Sequence, residues 1–142
     1  YIKCYPNATL CSWSGTGFDN RTIRVGLRDW FPKAVKEWEK IPEIDLLKII
    51  RGHMVLPIYN MSIETVAKWC GFYDTHENLK DDMDGFQVGL SYELYKRMKE
   101  PLDVERICRY NANDVLMLTY IAKWFLQENK RRYKDSKSRG MN

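Results

Sequence analysis

The longest helical pattern in the chain runs from Asp103 to Tyr133, "DVERICRYNANDVLMLTYIAKWFLQENKRRY". Ile107, Tyr110, Asp114, Leu118 and Ile121 fall close to one stripe of it, at spacings that stack side chains on one helix face. Such a stripe must be buried against other elements, so it constrains what the rest of the chain can be. Two of its members are polar. Tyr110 and Asp114 stand four apart, one turn, and so share a face. That face is otherwise apolar, which points the carboxylate inward, where it needs a partner.

The preceding segments are shorter. "ATLCSW" (Ala8–Trp13) is apolar, follows Pro-Asn and ends at Ser-Gly; it reads as a buried strand. "SGTG" breaks it, and a helix is expected from near Asp19, with Phe18, Ile23 and Leu27 at roughly helical spacing. "PKAVKEWEKIP" is bracketed by Pro32, suited to a first helical turn, and Pro42, which ends the segment. Ala34, Val35, Trp38 and Ile41 give it an apolar face. "EIDLLKII" (Glu43–Ile50) is short, apolar and flanked by Pro42 and Gly52, and is read as a second strand.

"MSIETVAKWCGF" carries a helix start at Ser62, with Thr65 where Glu or Gln would complete a capping box. Ile63, Val66, Ala67 and Cys70 share a face, and Gly71 is a C-terminal stop. "YDTHENLKDDMDG" reads as a polar loop. "FQVGLSYELYKRMKE" reads as a helix broken by Pro101. The order is strand, helices, strand, then helices, an α/β arrangement short of strands. A sheet with so few strands cannot cover its edges, which suggests that part of the fold lies elsewhere. The start at Tyr1, without a Met, likewise suggests a fragment.

The bulk properties narrow the class. A length of 142 residues suits one domain and can bury a core without disulfide or metal staples. No apolar run is long enough to cross a membrane and no signal peptide is visible, so a cytoplasmic location is expected. Cys4, Cys11, Cys70 and Cys108 lack zinc spacing; Cys70 and Cys108, among apolar neighbours, are expected to be small core residues. The net charge of +4 is concentrated at one end. Lys130–Arg139 holds six Lys/Arg and one Asp, leaving the remainder near −1. Such a tail suits phosphate backbones or a solvated terminus.

Three carboxylates have a setting in which chemistry is possible. Asp19 follows a strand end and a Gly-rich turn, where the backbone leaves a crevice. Asp45 sits in an apolar segment, though a satisfied strand-end carboxylate is the simpler account. Asp114 shares its face with Tyr110. Magnesium and manganese prefer oxygen ligands, and two such ions about 4 Å apart clamp a phosphodiester undergoing in-line attack. A tyrosine hydroxyl beside the carboxylate can orient the attacking water or assist its deprotonation.

"WSGTGFDNRTI" resembles the second motif of ribonuclease H-like 3′–5′ exonucleases of the DEDD superfamily, and "YNANDV" resembles the third motif of the tyrosine subclass. "EIDLLKIIRG", "MSIETVAKWCGF" and "DMDGFQVGLSYELY" are similar in order and spacing to that superfamily, so the resemblance spans Ala8 to Phe125. It implies a partial ribonuclease H-like α/β fold, with residues 1–129 an exonuclease-like domain and 130–142 a flexible basic tail. It implies Asp19 and Asp114 as ligands of Mg²⁺ or Mn²⁺, Tyr110 as the residue that positions water, and Phe18 as a packing neighbour. The implied substrate is single-stranded DNA or RNA, and the rest of a larger polypeptide or a polymerase is a possible partner. Trp69, Tyr92 and Tyr95 are candidates for base stacking.

The family's first motif, Asp-x-Glu on the first strand, is not seen ahead of Ala8. Asp103-Val-Glu105 matches it literally but reads as the acidic start of a helix. His76 and Asp81 match the histidine subclass but fall in the polar loop. The acidic group Asp81, Asp82 and Asp84 lacks the calcium-loop pattern and reads as solvated. The alternative function is a catalytically inactive exonuclease-like module that binds nucleic acid or protein.

Overall fold

The computed structural model describes residues 4, 5, 7–15, 19–75 and 83–138. Phe18, His76, Asp81 and Asp82, all singled out above, lie outside the described residues. The chain divides into two compact units, Tyr1–Tyr59 and Asn60–Asn142.

The first unit holds a two-stranded parallel sheet. Strand β1 (Leu10–Ser12) pairs with β2 (Glu43–Asp45) in the register Leu10↔Glu43, Cys11↔Ile44, Ser12↔Asp45. Parallel neighbours need a crossover connection. Here α1 (Asp19–Trp30) and α2 (Pro32–Trp38), packed on each other, provide it. Pro32 opens α2 as expected, where a missing N–H costs nothing.

The apolar run after Pro42 is not one strand. It splits after Asp45, and α3 (Leu46–His53) follows at once. The cause is Asp45, whose carboxylate accepts from the Lys48 N–H at 3.2 Å and caps the helix. Leu46, Leu47 and Ile50 are buried at helical spacing, which a strand could not achieve for all three on one side. Asp45 also accepts from the Ser14 N–H at 3.1 Å, so it is a satisfied strand-end carboxylate.

The turn after β1 is pinned to β2. Glu43 accepts from Ser12 Oγ at 2.8 Å and from the Asn20 side-chain amide. Gly15 is forced by this crowding: a Cβ there would sit 2.3 Å from Ser12 Oγ and 2.8 Å from Glu43 Oε1. The Asn20 N–H then donates to the Gly15 carbonyl at 3.0 Å, at the start of α1.

The second unit is helical: α4 (Ile63–Trp69), α5 (Phe72–Thr75), α6 (Gly85–Met98) and α7 (Val104–Ser138). The expected cap of α4 is present. Ser62 Oγ accepts from the Thr65 N–H at 3.2 Å, and the two hydroxyls meet at 2.9 Å, a partial capping box. Gly71, in the left-handed region at φ +88°, ends the helix. Lys99, also left-handed at φ 58°, ends α6 ahead of Pro101.

The core of this unit lies between α4, α5 and α7. Val66, Ala67, Phe72 and Ile121 have no exposed surface, and Met117 and Phe125 extend the seam along α7. The Phe72 ring meets Tyr120 edge-on at 5.4 Å, and Trp69 meets Trp124 edge-on at 5.1 Å. The buried ladder of α7 is Asn113, Met117, Ile121 and Phe125. Tyr110, Asp114 and Leu118 flank it half-buried, so the stripe is centred one residue earlier than expected.

Cys70 is buried, and burial pushes its thiol up to about 12. Cys108 is exposed, contrary to expectation. At about 100° per residue it projects from the side of α7 opposite the Met117–Ile121 seam. The stretch 130–138, expected to be a flexible tail, continues α7 as helix. No helix among the described residues is long and apolar enough to cross a membrane.

Candidate active site

Tyr110 and Asp114 are brought together as their spacing requires, one turn apart on α7, and they line an open cavity of about 220 Å³ within the second unit. Five further polar side chains share the cavity with them: Ser62, Glu64, Tyr73, Asp84 and Asn113. The buried sulfur side chains of Met83 and Met117 complete it.

Each wall residue is placed by a local rule. Glu64 lies in the first turn of α4, just inside the Ser62 cap, where an acidic side chain also complements the helix dipole. Asp84 is the N-cap of α6: its carboxylate accepts from the Gln87 N–H at 2.8 Å. Gln87 Oε1 in return accepts from the Asp84 N–H at 2.9 Å, a complete capping box. Tyr73, on α5, donates its hydroxyl to Met117 Sδ at 3.7 Å. A Cβ on Gly85 would lie 3.6 Å from the Tyr110 hydroxyl, so the start of α6 rests against that phenol.

The electrostatics are those of an acidic recess. Burial, the Asp114 charge, a hydrogen bond to Asp114, and the charges of Asp84 and Glu64 together push the Tyr110 phenol up to about 12. Tyr73 is also raised, by burial and then by Glu64 and Asp114. Both phenols are therefore neutral at physiological pH. Tyr110 is a hydrogen-bond donor to Asp114, not a base. Three carboxylates reach one field without a basic residue among the polar groups named.

The remaining expected site residues fall as follows. Asp19 is the first residue of α1, in the first unit. Asp103 accepts from the Arg106 N–H at 2.9 Å, the helix-start role its position suggested. Trp69 packs on Trp124 and has a structural use. Tyr92 and Tyr95 are about half exposed on α6.

Sequence reasoning missed Glu64, Tyr73 and Asp84 as wall residues. The Asp84-x-x-Gln87 box was readable, and would have fixed the start of α6. Nothing in the sequence tells that Glu64 and Asp84 face Tyr110.

The oxygen-only donor set of Asp114, Glu64 and Asp84 fits a hard divalent cation. Among the described residues, no three acidic, His or Cys side chains converge into a preformed cation site. The fit is thus of chemistry and charge, with at most pairs of protein ligands in reach.

A family model described as the RNase H superfamily matches residues 2–126. Comparison with curated proteins and with solved structures gave no match.

Proposed function

The chain belongs to the ribonuclease H superfamily, and on that premise we propose that it is a metal-dependent 3′–5′ exonuclease acting on single-stranded DNA or RNA. The observation that carries this reading is the Tyr110 hydroxyl bonded to Asp114 inside an acidic cavity. The pair matches the tyrosine-subclass motif, and the surroundings suit its chemistry. Asp114 is assigned as a carboxylate that would hold Mg²⁺ or Mn²⁺, with Glu64 and Asp84 adding negative field; for Asp19 a ligand role rests on the motif resemblance alone. When bound, the cation supplies charge stabilisation to the phosphodiester oxygens.

The chain's own groups do the rest. A phosphodiester is repelled by Glu64, Asp84 and Asp114, so binding depends on a compensating cation. Tyr110, held neutral, donates a hydrogen bond to Asp114 and keeps its phenol oxygen available as an acceptor. That oxygen accepts from an incoming water and orients it, which assigns Tyr110 to orientation rather than to deprotonation.

The test is release of mononucleotides from the 3′ end of a labelled single strand, using the full natural chain with Mg²⁺ or Mn²⁺. Activity should fall at least about a hundredfold in Asp114→Asn, the range for loss of a group that stabilises transition-state charge. Tyr110→Phe should fall less, within the span of general positioning effects. No release under any divalent ion would sink the proposal and favour a non-catalytic binding module.

A further inference from the structure

Helix α7 continues past the core, and its charges there are sorted by face. At about 100° per residue, Lys123, Lys130, Lys134 and Lys137 fall within an arc of roughly 60°. All four are exposed. Met117, Ile121 and Phe125, which bury the helix, project from the opposite side. The two acids of this stretch, Glu128 and Asp135, also lie on that opposite side.

The arginines are handled differently from the lysines. Arg131 donates to Glu128 from Nε at 3.0 Å and from a terminal nitrogen at 2.9 Å. Arg132 donates to the same carboxylate from Nε at 3.0 Å. Among the described residues, none of the four lysines enters an ion pair. Lys137 instead rests over the Tyr133 ring, 5.1 Å from its centroid, at the edge of the stripe.

From this we infer that the lysine face of α7, Lys123–Lys130–Lys134–Lys137, is a sequence-independent docking surface for a nucleic-acid backbone. Fixed positive charge along one helix face, roughly 21 Å from first to last at 1.5 Å per residue, suits a polyanion. The other polyanionic partner for a basic helix is a membrane surface. A helix lying on lipid needs an apolar face beside the basic one. Beyond Phe125, residues 126–138 offer only Leu126 and Tyr133 as large apolar side chains, both on the lysine side. The choice of nucleic acid among soluble polyanions rests on the nuclease reading above.

The stripe faces away from the side of α7 that carries Tyr110 and Asp114. It therefore grips a part of the polymer other than the end held in the cavity. Tyr133, well exposed beside the stripe, offers a ring on which a base can stack.

The test is equilibrium binding of the full chain to a thymidine homopolymer, in chelator, at several salt concentrations. Chelator removes catalysis, so failure here is separate from failure of the exonuclease reading. Four backbone contacts give a slope of log affinity against log salt of about −2.8 on a single strand. Raising salt from about 50 to about 200 mM should then weaken binding about fiftyfold. In Lys130→Gln/Lys134→Gln/Lys137→Gln the slope should become shallower by about 2, and the same salt step should cost about threefold. Gln is a good helix former, and circular dichroism checks that α7 persists. An unchanged slope in the triple variant overturns the inference. So does an equal loss in Arg131→Gln/Arg132→Gln, or stripe-dependent binding to phosphatidylserine vesicles without binding to the oligonucleotide.

Discussion

Replacing Tyr110 by Phe removes one hydroxyl and almost nothing else, so its cost isolates the bond to Asp114. The phenol stands at about 12 against an ordinary value of 10. At 1.36 kcal/mol for each tenfold, that difference would be worth up to about 2.7 kcal/mol. The cavity is open and Tyr110 only half-buried, so solvent screening reduces the figure to about 1 kcal/mol. A net value near 1 kcal/mol is also what a hydrogen bond of this kind contributes. The sign follows from the direction. A raised phenol favours the protonated form in the folded chain, so its stabilisation is complete below pH 10 and fades as pH climbs through about 12. Urea unfolding of wild type and Tyr110→Phe at pH 8 should differ by about 1 kcal/mol, and by pH 11 most of that gap should be gone. The cycle with Asp114→Ala should return a coupling of about 1 kcal/mol at pH 8. A gap that is level or wider at pH 11, or a coupling near zero, would refute the account of this pair.

Two further substitutions test the frame that holds the cavity. Ile121→Ala empties a fully buried position facing α4 and should cost about 3 kcal/mol in the same urea assay; a loss under about 1 kcal/mol would mean the α4–α7 seam is not the core. Gly71→Ala places a Cβ in the left-handed region at φ +88° and 3.1 Å from Asp74 Oδ2. It should cost about 1.5 kcal/mol, and Gly71→Asn should cost less, since Asn tolerates that conformation.

The elements that were legible in the sequence are those whose signals are local. Ser62 and Gly71 bound α4 through a side-chain cap and a left-handed residue, both readable from type and position. The Tyr110–Asp114 pairing follows from helix pitch alone. The run "EIDLLKII" misled because a short apolar segment carries strand and helix patterns at once, and the deciding group was Asp45 acting as a cap. Cys108 misled because its neighbours in sequence are apolar while its helix face points outward. Glu64 and Asp84 were beyond reach for another reason. Their meeting around Tyr110 depends on how three helices pack, and no spacing within one helix encodes that. The basic end of α7 was legible as charge, but its sorting by face required knowing that the helix continues to Ser138.

The clamp at Glu43 has a consequence for how the first unit can change. One carboxylate reads out the end of β1 through Ser12 and the start of α1 through Asn20, from a seat on β2. A slip of the two strands by one residue would carry Glu43 to the other sheet face and release both contacts together. Strand register and the origin of the helix that begins at Asp19 are therefore one variable, not two. A lineage or a designer altering either must alter both, and Glu43, though distant in sequence from Asp19, is the residue whose loss would show it.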